Sequence, residues 1–519
     1  MNFRLVTFNL GIITALMTSV MIFALVWALP CLGGVWKYES HGVWALCGSI
    51  LLTGSLSAIL FQFGYSARKD RVFRREAIAT VGLGWIFACI CGALPYIFSG
   101  IPRDVADDGT PIPMTAIDAL YESVSGLTTT GVSVIQTQDL PELMPRTILF
   151  WRSLTHFIGG VGIVVLLVAL LDIGMAGRLL VSGEVTGPKQ TVQGARIQMV
   201  IRRTMEVYLT LNFLLIFSLL LCGLTWFDSL CYSFGTIATG GLDPHSSGLN
   251  YYDQALLPRV QWVMSVFMLV SGMNLLSLYF FAHRNWKPLL KSSEWRCYML
   301  IVLAATLTIA FKEASWNGVG VLSTLRNSLF HVASCITTTG YVTDNYTLWS
   351  PAAQMVLMSL MFVSACSGST TGGVKVVRYI LLVKILNIEM EKIYRPSIVH
   401  PLYYNGDRVR DPSIASGVLH FFALMFITLL CTWTLLIFFE PDSIWAHHTS
   451  IATGKAGDLF AVTVSHFANV GLGMGEFVVN HSFGDLTQAS KLLLLCVMLL
   501  GRLDFFAILL LFSPSFWKR

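Results

Sequence analysis

The chain has 519 residues, 55% of them hydrophobic and only 12% charged. A soluble globular protein carries about 25% charged residues, so half the usual solubilising charge is missing, which excludes a soluble enzyme and an enzyme held by a single anchor. The net charge of +5 comes from basic residues gathered between apolar segments, which assigns it to membrane topology rather than to nucleic-acid binding.

Apolar stretches near the ~20-residue spanning length recur along the chain. Ten are predicted to span: Leu5–Leu29, Val43–Tyr65, Ala77–Ser99, Thr147–Asp172, Met205–Phe227, Val260–Ala282, Tyr298–Phe311, Ala352–Leu386, Ile414–Phe439 and Leu492–Phe512. The first exceeds the ~7–15 residues of a signal-peptide core and reads as a retained helix. Arginine and lysine crowd the connections after the even-numbered segments, as with Arg68, Lys69, Arg71, Arg74 and Arg75, or Arg178, Lys189, Arg196, Arg202 and Arg203. The positive-inside rule then puts those connections and both termini in the cytoplasm.

The eleven cysteines lie in or beside apolar segments without the CxxC spacing of a metal or redox site. The sequons at Asn345 and Asn480 match a pattern that is common by chance.

An internal repeat carries more information. YESVSGLTTTG ends at Gly131, CYSFGTIATGG has its first glycine at Gly240, FHVASCITTTG ends at Gly340 and AVTVSHFANVG ends at Gly471. Each run lies between an odd-numbered apolar segment and the next even-numbered one. A half-length stretch precedes each glycine: Ala116–Leu127, Ser229–Ile237, Leu325–Ile336 and Asp458–Ala468. The predicted unit is helix, short re-entrant pore helix, polar glycine loop, helix. It occurs four times, after two additional N-terminal transmembrane helices.

Non-helical backbone is tolerated at membrane depth only where protein buries it or it lines water. Four such loops around one axis form a narrow constriction whose carbonyl oxygens replace the hydration shell of a cation. Glycine lets the backbone take positive φ there, and the negative ends of the pore helices face the ion. The predicted fold is an all-α polytopic membrane protein with four pseudo-symmetric repeats around one central pore. Repeat one covers 71–200, repeat two 201–292, repeat three 293–400 and repeat four 401–519; the additional helices fill 1–70.

The loops TTTGV, TIATGGL, TTTGY and ANVGLGMGE resemble the four filters of the TrkH/TrkG branch of the superfamily of potassium transporters, related to KtrB and plant HKT proteins. The likeness runs from the two N-terminal helices to the closing GRLDFFAILLLFSPSFWKR. It implies potassium uptake across a bacterial cytoplasmic (inner) membrane by a homodimer with one pore per subunit, surrounded by membrane lipids. It also implies a TrkA-type cytosolic nucleotide-binding regulator, with no nucleotide bound by this chain.

Carried over residue by residue, the filter comprises Thr129, Thr130 and Gly131; Ala238, Thr239 and Gly240; Thr338, Thr339 and Gly340; and Asn469, Val470 and Gly471. Relatives with serine at the first position tend toward sodium, so Gly131 favours potassium. The unequal loops imply moderate selectivity. Asp243, Asp344 and Glu476 follow the loops at similar offsets, and either concentrate cations at an outer mouth or solvate ordinary loops.

Ala352–Leu386 is too long for one crossing, and SACSGSTTGG interrupts it with poor helix formers. Ala365, Cys366, Ser367, Gly368, Ser369, Thr370, Thr371, Gly372 and Gly373 form either a kink between packed helices or a mobile obstruction under the filter. GSTTGGVKVVR resembles the family's intramembrane gating loop. Arg502, midway along the last apolar segment, costs at least ~2.5–3.5 kcal/mol to insert. Asp504 is two residues away and points elsewhere on a helix, so Arg502 faces the cavity or a partner in the bundle. The resemblance makes it an electrostatic barrier below the filter.

His156, His331, His447, His448 and His466 come without HExxH, GxSxG or paired aspartates, so no enzyme is expected. No Walker A loop is present, so any ATP acts through a partner. A proton- or sodium-coupled symporter, or the ion-translocating subunit of an ATP-driven pump, remains the alternative to a channel.

Overall fold

The computed structural model describes residues 1–29, 36–68, 70, 73–106, 108–137, 139, 143–162, 194–317, 320–395, 401–405, 407–408, 413–445, 451–479, 483–503 and 505–518. Lys69, Arg71, the stretch 163–172 of the fourth predicted span, Arg178, Lys189, Arg410, His447, His448, the Asn480 sequon and Asp504 lie outside them. Most of the described chain is helical. Its strands form two short hairpins, Pro102–Val105 with Pro111–Pro113 and Tyr403–Tyr404 with Asp407–Arg408.

Six helices among the described residues are long and apolar enough to cross a membrane unbroken. Two are the N-terminal pair, Phe3–Ala24 and Trp36–Gly64. These pack tightly because Gly64 admits the backbone of Phe8; a Cβ there would lie 2.5 Å from the Phe8 nitrogen. The other four open the repeats: Arg74–Ser99, Gly194–Cys222, Ser293–Asn317 and Ser413–Phe439. Phe213 and Phe438 on these helices are 70% and 82% exposed, which is stable only against lipid or another apolar surface. Ser293–Asn317 is longer at both ends than its apolar stretch Tyr298–Phe311. The carboxylates that close the apolar run, Glu294 and Glu313, are buried and hydrogen-bonded, Glu313 accepting from the Ser350 nitrogen at 2.9 Å and its hydroxyl at 2.8 Å.

The pore helices are Ala116–Leu127, Trp226–Ile237, Val321–Ile336 and Ile451–Ala468. All four stop where the sequence predicts. Three start earlier, and in the second a side-chain cap rather than apolar onset sets the start. Thr225 accepts from the Asp228 nitrogen at 3.1 Å, the arrangement of a helix N-cap.

Two of the second helices, those of repeats two and four, correct the expectation of an unbroken span, and the third breaks where the sequence predicts. Arg146–Val161 ends at Gly162, whose φ is 81°. Leu257–Ser271 and Leu275–Ala282 bend by 105° across residues 272–274. Pro351–Met361 and Val376–Tyr394 are parted by the SACSGSTTGG segment. Gln488–Arg502 stops short of Phe505, which sits at φ 63°. Among the described residues three second helices are therefore broken, and the first ends at Gly162; glycine or asparagine relaxes the helix at these places and neighbouring protein takes up the freed backbone groups.

Buried charge ties the repeats together. The Lys491 ammonium of repeat four lies 2.6 Å from Asp118 of repeat one, both side chains fully buried, and also donates to the Gly484 carbonyl at 2.7 Å. Asp118 meanwhile closes a capping box with Thr115. On the same face His245, in the loop after the second pore helix, sits between Asp139 at 2.9 Å and Asp228 at 3.3 Å.

Lys491→Met leaves Asp118 buried and uncompensated, and is expected to cost roughly 3–5 kcal/mol. The thermal midpoint in detergent should fall by several degrees, and adding Asp118→Asn should restore most of it. At His245, burial opposes the charge, but the adjacent Asp228 and Asp139 carboxylates outweigh it and hold the imidazole above its ordinary pKa. This tie contributes fully below the unfolded value of about 6.5 and is lost as pH rises through the raised folded value. Thermal midpoints measured across that window should decline for the unmodified protein and flatten in His245→Asn.

Candidate functional site

The four pore helices deliver their C-termini to one place, and the backbone leaves each helix in the same way. Thr129, Thr239, Thr338 and Asn469 have φ of 54°, 57°, 54° and 53°. Two residues on, Gly131, Gly241, Gly340 and Gly471 have φ of 81°, 79°, 83° and 84°. A β-branched residue at positive φ is a genuine outlier, costing about 1–3 kcal/mol each, and three threonines share it. Alternating left- and right-handed residues turns successive carbonyls to one side of the chain, the arrangement a carbonyl-lined filter needs.

Hydrogen bonds back to the pore helices fix this exit. The Thr130, Gly240, Thr339 and Val470 nitrogens donate to the Ser125, Gly235, Ser334 and Ser465 carbonyls at 2.8–2.9 Å. Between loops the contact is closer still. A Cβ on Gly131 would collide with the Gly240 carbonyl oxygen, one on Gly241 with that of Thr339, one on Gly340 with that of Val470, and one on Gly471 with that of Thr130. The cycle closes, loop one to two to three to four and back to one. Glycine is needed there twice over, for its positive φ and for the approach of the next loop.

One predicted register changes. In the second loop the glycine that matches Gly131, Gly340 and Gly471 is Gly241, and Gly240 matches Thr130, Thr339 and Val470. Ala238 moves out of the ring to the pore-helix cap, the place of Thr128, Thr337 and Ala468. Two adjacent glycines allow either alignment in sequence; positive φ and the collision pattern select the second.

The three acids beyond the loops are not equivalent. Asp243 turns inward, its Oδ1 buried and its backbone carbonyl accepting from Arg152 at 3.3 Å. Asp344 accepts from the Trp349 indole at 3.3 Å. Glu476 opens the short helix Glu476–Val479, its nitrogen donating to Asp458 at 3.3 Å.

The interrupting segment lies directly against the other end of the ring. Thr370 donates to the Ile237 carbonyl at 2.8 Å, ending the second pore helix. The Gly372 nitrogen donates to the Thr338 hydroxyl at 3.0 Å. A Cβ on Gly372 would lie 2.7 Å from that of Asn469, and one on Gly373 2.8 Å from the Ala468 carbonyl oxygen. The segment is thus seated under loops two, three and four.

Arg502 supplies the contact to loop one. It is at the C-terminal end of its helix rather than midway along one, where a cation faces the negative pole. Its guanidinium donates to the Thr129 hydroxyl at 3.0 Å, to the Thr370 carbonyl at 3.1 Å and to the Gly159 carbonyl at 2.7 Å.

Several participants escape the sequence reading. Asn274, at the bend of the second repeat's second helix, donates to the Ser367 carbonyl at 2.7 Å; the Leu275 nitrogen meets Gly368 at 3.0 Å and the Cys366 nitrogen meets Gly272 at 3.0 Å. Glu294 holds the Ser367 nitrogen at 2.6 Å. Lys375 reaches the Thr371 hydroxyl at 2.5 Å. Behind loop one, Glu122 and Arg152 form a buried pair at 2.8 Å. A polar residue inside an apolar run, as in SGMNLLS, was the available signal.

Among the described residues His156, His331 and His466 lie apart, each in its own packing environment. His466 Nδ1 faces the Val462 carbonyl at 2.7 Å and its other nitrogen faces the Tyr121 hydroxyl at 2.5 Å; His156 packs against Gly240. Among the described residues no cluster of histidine, cysteine and acids has the makings of a metal site.

Comparison with known proteins agrees with this geometry. The family model TrkH, described as a cation transport protein, matches residues 100–519. The Trk system potassium uptake protein TrkH of Salmonella typhimurium is 30% identical over 526 residues, covering the whole of both chains. The Trk system potassium uptake protein TrkG of Escherichia coli is 30% identical over 462 residues, 88% of each. The crystal structure of the potassium transporter TrkH from Vibrio parahaemolyticus superposes with a TM-score of 0.81 at 26% identity, covering both chains fully. The four-loop ring, the interrupted second helices and these full-length matches place the chain in the TrkH family of cation transport proteins, a transporter family and not an enzyme family.

Proposed function

We propose that the chain takes up potassium across the bacterial cytoplasmic membrane through the ring of Thr129–Gly131, Thr239–Gly241, Thr338–Gly340 and Asn469–Gly471. The observation that carries this reading is the closed cycle in which each glycine abuts the preceding carbonyl of the next loop. Such a cycle leaves the carbonyls as the ligands with which a passing ion exchanges its water, and the four pore-helix C-termini add negative potential.

In this reading the segment Ala365–Gly373 is the gate. It blocks the path in the arrangement described above and must withdraw for ions to pass. Its hydrogen bonds to Asn274 and Glu294 give two helices a hold on it, so a cytosolic partner that moves those helices opens the pore. A TrkA-type nucleotide-binding regulator and a homodimeric assembly fit the Trk system to which the relatives belong. Both termini and the basic connections are assigned to the cytoplasm by the positive-inside rule. Arg502, fixed between Thr129, Thr370 and Gly159, places a permanent positive charge where ions leave the ring. Asp344 and Glu476 are the better placed acids for an outer mouth; Asp243 contributes less because it turns inward.

The test is ion flux in liposomes containing the purified chain, with and without its regulator. Potassium flux down its own gradient, unaffected by a pH gradient, is expected; obligatory coupling to protons or sodium would replace the channel with a symporter. Arg502→Ala should raise flux by roughly tenfold, about 1.4 kcal/mol off the barrier, with the potassium-to-sodium ratio little changed. Unchanged flux removes the barrier role.

A further inference from the structure

The ring has fourfold backbone geometry, but one set of its side-chain hydrogen bonds is twofold. In loop one, Ser125 donates to the Val132 carbonyl at 2.6 Å, Thr128 to the Val124 carbonyl at 2.6 Å, and the Thr128 and Thr130 hydroxyls meet at 2.7 Å. Loop three repeats all three. Ser334 donates to Tyr341 at 2.7 Å, Thr337 to Ala333 at 2.6 Å, and Thr337 meets Thr339 at 2.8 Å.

Loops two and four lack the set. The corresponding residues of loop two are Gly235, Ala238 and Gly240, which carry no hydroxyl. Loop four has Ala468 and Val470, and its matching serine, Ser465, has a buried hydroxyl without a hydrogen-bond partner; its Asn469 bonds sideways, to the Thr130 hydroxyl at 2.8 Å and the Met498 carbonyl at 3.1 Å, and not to the chain beyond its own glycine. Because the loops touch in the order one, two, three, four, loops one and three face each other across the axis. Thr129 and Thr338 of these two loops also accept hydrogen bonds from beneath the ring, from Arg502 and from the Gly372 nitrogen, while loop two is met from beneath at the Ile237 carbonyl that ends its pore helix.

We propose that loops one and three are a rigid diagonal that sets the width of the ring and so its discrimination between potassium and sodium, while loops two and four are a compliant diagonal. The serines are positioning residues: each ties the pore helix to the chain just beyond the glycine, so the three carbonyls between cannot close around a smaller ion. Where the carbonyls of a ring are free to collapse, sodium is coordinated nearly as well as potassium. This inference rests on the reading of the ring as the ion filter.

The experiment measures potassium and sodium permeability in liposomes containing the full-length protein, for the unmodified chain, Ser125→Ala/Ser334→Ala and Ser465→Ala. Loss of two hydrogen bonds is expected to lower the potassium-to-sodium ratio at least about fivefold, while Ser465→Ala shifts it less than about twofold because its hydroxyl bonds to nothing. Should the serine pair fail to fold, Thr128→Ala/Thr337→Ala, which installs the alanine that loops two and four already have, carries the same expectation. An unmodified protein with no preference for potassium overturns the filter reading and this inference together. A selective unmodified protein whose ratio survives both pairs of substitutions, or falls equally in Ser465→Ala, overturns the rigid diagonal alone.

Discussion

Everything in this molecule is arranged to hold about a dozen residues of non-helical backbone at membrane depth. A helix satisfies its own amides; these loops do not, and lipid offers no substitute. The solution is mutual: each loop is pinned to its own pore helix by nitrogen–carbonyl bonds, the shortest in each at 2.8–2.9 Å, and each lies against the next through a glycine without a side chain. Three threonines accept a left-handed conformation that such residues normally avoid. Strain of that kind persists only where the surroundings over-determine it, and the closed ring does so.

The interrupted second helices follow from the same constraint. An unbroken helix would run past the ring and leave its far side open to water. Breaking it exposes polar backbone exactly at that level, and the broken ends find each other: Gly272 and Asn274 bond to Cys366 and Ser367, and Arg502 bonds to Gly159 and Thr370. The Ala365–Gly373 segment is thereby made of small residues held by hydrogen bonds that each contribute about 0.5–1.5 kcal/mol net. Under the proposed gating role, bonds of that size are ones that a partner moving the attached helices can break.

Charge is used sparingly and in depth. Asp118 with Lys491 and Glu122 with Arg152 are fully enclosed pairs, and such pairs specify an arrangement more than they stabilise it, since desolvation offsets most of the attraction. Both flank the first pore helix. Repeat one, bonded to repeat four through Lys491 and to repeat two through His245, is the joint at which the circle of four repeats closes.

The amino-acid order alone determined the membrane setting, the four repeats, the ends of the pore helices and the two exceptional features of the lower half, Ala365–Gly373 and Arg502. Those signals are local: composition, apolar length, a recurring glycine run and a charge where charge is costly. Only the tertiary structure decided that Gly241 rather than Gly240 matches Gly131, Gly340 and Gly471, that the second helices of repeats two and four also break, that Asp243 turns inward, and that Glu294 and Asn274 hold the Ala365–Gly373 segment. A choice between adjacent glycines depends on which one meets a carbonyl about a hundred residues further along, and hydrogen bonds between Thr129 and Arg502 or between Asn274 and Ser367 join residues whose spacing carries no periodic trace. Distance in the chain is what hid them, because contact between remote segments is set by how the repeats close around their axis and not by any property of the residues taken in order.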